Sequence, residues 1–115
     1  MANKDFIEFQ KKFREYQQQF GLTGYKVYFK YEPIVDHSFA DITITQVDMV
    51  ATVRLNSALE EKDKPFKHIG RSAKHEAVHL LLARLENRAD NRFATADEIY
   101  EAVEELARKL EELIK

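Results

Sequence analysis

The sequence predicts an α+β domain. Three observations carry that expectation: apolar residues at helical spacing near both ends of the chain, alternation of period two through the middle, and only three glycines and two prolines to interrupt 115 residues. The length suits one hydrophobic core, so residues 1–115 are read as a single domain. Hydrophobic residues at 44% and charged residues at 33% describe a folded, helix-rich chain rather than a disordered one. The expected order is helix, a small antiparallel sheet of about three strands, helix, helix.

The first helix follows from Phe6, Phe9, Phe13, Tyr16 and Phe20, which fall on one face, with Asn3 or Asp5 as N-cap and Gly21 as stop. An aromatic stripe at this spacing reads as core rather than as a base-stacking surface. After Gly24 the period becomes two: Tyr25, Val27, Phe29 and Tyr31 oppose Lys26, Tyr28 and Lys30 until Pro33 ends the strand. Ala40, Ile42 and Ile44 alternate with Asp41, Thr43 and Thr45, and after Gln46-Val47-Asp48 a further alternation places Met49, Ala51, Val53 and Leu55 together; these two runs predict a hairpin. Glu60 to Pro65 is a polar break, with Pro65 suited to the first turn of a helix running from about Phe66 to Leu85 or Arg88. The last helix is expected from about Thr95 to Ile114. Thr95 and Glu98 form its capping box, and Ile99, Val103, Leu106, Leu110 and Leu113 form its buried stripe.

Composition excludes several classes. A net charge of −2 provides no global basic field for a phosphate backbone or an anionic membrane. The absence of cysteine removes disulfides, thiolate metal sites and a cysteine nucleophile, and fits a reducing compartment. No apolar run approaches the roughly 20 residues of a membrane span, and the start, MANKDFIEFQ, lacks the pattern of a secretory signal. A cytoplasmic protein without membrane attachment is the expectation.

One constellation carries chemistry. Within the third stretch, His75-Glu76-Ala77-Val78-His79 is an H-E-x-x-H motif. Residues four apart share a helix face, so two imidazoles can address one ion about 2 Å from each. Glu76 lies about 100° round the helix, where its carboxylate reaches a water on the ion rather than the ion itself, the position of a general base. Val78, Leu81, Leu82 and Leu85 offer an apolar back to this helix, and Gly70, Ser72 and Ala73 offer small residues where a neighbour approaches.

With the motif in place, the order of an amphipathic helix, the Y-K-V-Y-F, A-D-I-T-I and A-T-V-R-L-N strands, H-E-A-V-H-L-L-L-A-R-L and a Glu-rich final helix resembles the minimal zincin domain, in particular the small phage-type metallopeptidases. The resemblance implies zinc with His75 and His79 as ligands, Glu76 as base, and a hairpin edge above the active helix that aligns an extended peptide or protein substrate. The continuation H-E-x-x-H-x-x-G-x-x-H is missing, with Leu85, Glu86 and Asn87 in its place, which excludes a metzincin.

A catalytic zinc takes three protein ligands and an open position. His68 lies two turns before His75, about 10 Å up the axis, too far to share an ion with His79. His37 sits in a polar loop where solvation explains it. Carboxylates of the last helix remain. Glu98 has a capping role, and Glu101 points opposite the Leu106 and Leu110 stripe. Glu104 lies on one flank beside Tyr100 and Ala107, while Glu105 shares the other flank with Glu98 beside Ala102. Pairs of Glu104 with Arg108 and of Glu105 with Lys109 explain two of these as surface charges. The family's final helix resembles Glu-Glu-Leu-Ala-Arg-Lys-Leu-Glu at 104–111, which favours Glu104; Glu105, Glu101, Glu98 and His37 stay open.

Three function classes follow. A zinc-dependent peptidase uses Glu76 to take a proton from the attacking water and pass it to the leaving amine. A protein-binding or regulatory module would hold a structural metal or none, a reading motivated by the small size of the chain. A nucleic-acid module would use Lys26, Lys30, Tyr28 and Tyr31, residues that a solvated strand face explains better.

Overall fold

The structure, a computed structural model, describes residues 3–113. Helix α1 spans Lys4–Gln19, and the Asn3 side chain accepts from the Phe6 N–H at 3.1 Å, satisfying one of the free donors of the first turn. The helix ends at Phe20, and Gly21 follows at φ +71°, a left-handed conformation open to glycine at little cost. Lys109 then donates to the carbonyls of Phe20 and Gly21, each at 3.2 Å, so a cation from the far end of the chain satisfies the carbonyl end of α1.

Strands β1 (Lys26–Glu32), β2 (Ala40–Thr45) and β3 (Val50–Asn56) form a sheet in the order β1-β3-β2. The predicted hairpin is present, with β2 antiparallel to β3 from Ala40↔Leu55 to Thr45↔Val50. The expected all-antiparallel sheet is corrected to a mixed one, because β1 pairs parallel to β3 from Lys26↔Val50 to Glu32↔Asn56. The reason lies in burial: Ala51 and Val53 are fully buried and Leu55 nearly so, so β3 takes the centre. Residues 33–39 carry the chain past it, about two strand spacings, to the outer edge. Asn56, 5% exposed, fastens this crossing. Its side chain accepts from the Ile34 and Ala58 N–H groups at 3.3 and 2.8 Å and donates to the Ser38 carbonyl at 2.9 Å.

The inner face of the sheet meets α1, where Phe9 and Phe13, both fully buried, set their rings edge-on to Phe29 at centroid distances of 6.4 and 5.5 Å. Helix α2 (Ile69–Asp90) completes the core through Ala73, Ala77, Leu80 and Leu81. Of the apolar back expected from sequence, Leu81 is buried and Val78, Leu82 and Leu85 are half-buried. Pro65 belongs to a separate single turn of 3-10 helix, Lys64–Phe66, and α2 is started instead by His68, whose Nδ1 accepts from the Arg71 N–H at 3.0 Å.

Helix α3 spans Ala96–Leu113 and begins with the predicted capping box, Glu98 N–H donating to Thr95 Oγ1 at 3.1 Å and Thr95 N–H to Glu98 Oε1 at 3.4 Å. Its expected buried stripe is corrected. Val103 and Leu110 are 43% and 39% exposed, and Ala102 is the one buried residue among those described. Expected Ile114 lies outside the described residues. No helix among the described residues is long and apolar enough to cross a membrane.

Candidate functional site

Helix α2 passes beneath the β2 edge of the sheet, and a cleft of about 680 Å³ lies between them. His75, Glu76 and His79 line it from the helix with Arg71, Ser72 and Glu86, while Ser38 to Ile42 line it from the strand side. The three residues of the motif are thus brought together, as their spacing requires.

The imidazoles are exposed and converge, with Nε2 of His75 and Nε2 of His79 3.2 Å apart and the rings nearly perpendicular at 80°. Two nitrogens bound to one tetrahedral zinc at about 2.05 Å each would lie about 3.3 Å apart, so the pair fits a zinc half-site. The same contact is a hydrogen bond between the rings, with the donor set by the tautomer.

Glu76 is 5% exposed. No fully enclosed side-chain oxygen or nitrogen among the described residues lacks a partner. The Glu76 carboxyl makes no hydrogen bond there, so its oxygens open on the cleft. Burial raises its pKa above the ordinary glutamate value, an effect that neighbouring His79 opposes and the Asp41 charge reinforces. A carboxyl whose affinity for a proton is raised in this way is suited to act as a base.

The rim of the cleft is braced. Arg54 of β3 donates from Nε to Asp41 Oδ1 at 2.8 Å, makes a second close contact to Asp41 Oδ2, and reaches Glu32 at 3.2 Å. One guanidinium therefore ties all three strands on the outer face and fixes the β2 edge over α2. Both carboxylates hold Arg54 well above the usual arginine range.

Glu104 is not brought to the histidines. Arg84 pairs with Glu105 and lies 4.0 Å from Glu101, and Arg88 lies 3.7 Å from Glu98, so α3 packs on the arginine side of α2. Arg84 is about 140° round the helix from His79 and about 180° from His75. The flank of α3 that meets α2 is the one beside buried Ala102, which carries Glu98 and Glu105. Glu104 is on the other flank, and the charges that do face α2 are occupied by arginines. His37 lies on the 33–39 crossing, at φ +65° and 3.4 Å from Glu60, outside the cleft. His68 is occupied as the cap of α2.

Sequence reasoning missed the strand wall, Ser38 to Ile42, and also Glu86. A signal for Glu86 existed: it stands seven residues after His79, two helical turns along the same face. Of the strand-face residues, Tyr31 stacks on Phe6 at 5.4 Å and is consumed by packing, while Lys26 sits over Tyr28 at 5.6 Å.

Comparison with protein-family models, with curated proteins and with solved structures finds no match. Among the described residues no group of three or more His, Cys, Asp or Glu is arranged to hold a metal ion. The resemblance to the minimal zincin domain and its phage-type members is therefore not upheld, and what stands at this site is the local geometry of His75, Glu76 and His79.

Proposed function

We propose that the cleft between α2 and β2 is a hydrolytic site for peptide bonds, with zinc as cofactor held by His75 and His79 and with Glu76 as general base. The observation that supports this most is the convergence of two imidazole nitrogens, 3.2 Å apart, in the cleft onto which a buried and otherwise unpartnered carboxyl opens. Zinc, when bound, would polarise the scissile carbonyl and acidify a water. Glu76 takes the proton of the attacking water and delivers it to the leaving nitrogen, a task favoured by its raised affinity for a proton. Among the described residues no strand lies beside the outer edge of β2, which ends the β1-β3-β2 order, so its backbone groups can pair with an extended substrate.

Metal analysis and zinc titration of untagged protein test the reading. The native chain is expected to take up about one zinc, and the double variant His75→Ala, His79→Ala none. Equal zinc uptake by the two proteins rejects the site. Zinc uptake without cleavage of any member of a peptide library rejects hydrolysis and leaves a metal-binding module.

A further inference from the structure

The cleft that holds the histidines also holds an arginine. Arg71 lines it one helical turn before His75, about 6 Å along the α2 axis, so Arg71, His75 and His79 follow one another on the face of α2 turned to β2. Other arginines are engaged: Arg54, Arg84 and Arg88 lie against carboxylates, and Arg14 and Arg92 lie over the rings of Phe29 and Phe93. Among the described residues Arg71 takes part in no ion pair, and its one hydrogen bond is made by its backbone N–H, to His68. Its position is electrostatically adverse as well. Arg71 stands in the first turn of α2, where the helix dipole is positive and no acidic residue offsets it, whereas the first turns of α1 and α3 carry Asp5 and the pair Asp97 and Glu98. The acids of the cleft do not neutralise it, since Asp41 is taken by Arg54 and Glu86 lies about 22 Å further along the helix. That a ligand enters this cleft has independent support from Glu76, which is 5% exposed, has no hydrogen-bond partner and opens on the same space. The volume, about 680 Å³, is that of a ligand site.

We infer that Arg71 binds a carboxylate of the peptide in the cleft, one turn from the histidines, and so sets a preference for acidic over neutral substrates. A guanidinium offers a carboxylate two parallel N–H donors, which an amide cannot accept in the same way. An acidic side chain and the C-terminus of a peptide present the same group. The inference rests on the peptide-hydrolase reading for its catalytic consequence, but binding tests it separately. Four fluorescein-labelled peptides of one sequence, with a central glutamate or glutamine and a free or amidated C-terminus, are titrated at low salt into zinc-treated full-length Glu76→Gln protein. The same four are offered as substrates to the native chain.

The peptide with glutamine and an amidated end is expected to bind on the order of 10-fold more weakly than the best carboxylate peptide, the scale of a hydrogen bond to a charged group. Whichever arm carries the difference identifies the carboxylate as side chain or C-terminus. Adding Arg71→Gln should erase the difference, and Arg71→Glu should reverse it, which loss of fold cannot do. Arg108→Gln, which removes a like charge from α3, should leave it unchanged. Equal affinity for all four peptides, or a preference that survives Arg71→Gln, overturns the inference, and cleavage by the native chain then still upholds hydrolysis. A preference that disappears with Arg71 but comes without cleavage supports the carboxylate site and overturns hydrolysis instead.

Discussion

The two sides of α2 are built on opposite terms. On its back, Ala73 and Ala77 are fully buried and Leu80 is 1% exposed. Small side chains let α1 approach, and every apolar contact there favours the fold. On the cleft side, His75, His79 and Glu86 are exposed, and Glu76 is a largely buried carboxyl without a hydrogen-bond partner whose oxygens open on the cleft. Burial of that carboxyl costs stability rather than contributing it. A chain that keeps an unfavourable group in the middle of its central helix, beside two converging imidazoles, marks the place where folding is not the only demand on the sequence.

The contrast can be broken from either side. Leu80→Ala should destabilise the protein by about 3 kcal/mol, from lost transfer energy and the cavity left behind. A loss below about 1 kcal/mol in urea denaturation would mean that the back of α2 is not the principal joint of the core. On the cleft side, Glu76→Gln should retain zinc and lower peptide hydrolysis at least about 100-fold, equivalent to about 2.7 kcal/mol on the barrier. Equal rates in the two proteins would dismiss Glu76 as the base.

The same substitution sharpens the comparison through stability. Because burial raises the Glu76 pKa, the native metal-free protein holds this proton more tightly than the unfolded chain does. Between the ordinary value of 4.5 and the raised one, unfolding releases a proton, so stability falls as pH rises through that window. Metal-free Glu76→Gln should therefore melt higher than the native chain at pH 8, with the gap closing below pH 4.5. A native chain that melts higher at pH 8 would show that the carboxylate has a partner. The smallest effect is expected on α3: Glu104→Ala should change stability by no more than about 0.5 kcal/mol and leave zinc affinity where it was. A tenfold loss of zinc there would return Glu104 to the site.

Helices α1 and α3 show why part of the molecule was legible and part was not. Both carry an apolar stripe at helical spacing and cap residues that the sequence offers, Asn3 or Asp5 for α1, of which the structure uses Asn3, and the Thr95–Glu98 box for α3. The α1 stripe is buried at Phe9 and Phe13, but the α3 stripe leaves Val103 and Leu110 partly in solvent. Glu104 stands apart from the cleft for the same reason, because periodicity does not record which flank of α3 meets which side of α2.

The sequence by itself determined what is local. Helical spacing of four residues places His75 and His79 on one face, alternation sorts the strand residues between two faces, and caps end the helices, because each follows from backbone geometry within a few residues. Tertiary structure alone decided that β1 runs parallel to β3, that Ser38 to Ile42 become the opposite wall of the cleft, and that arginines rather than histidines of α2 meet the acidic flank of α3. Those outcomes depend on competition between distant surfaces for a limited core, settled by how much apolar area each pairing removes from water, and periodicity records which residues share a face without recording what that face will meet.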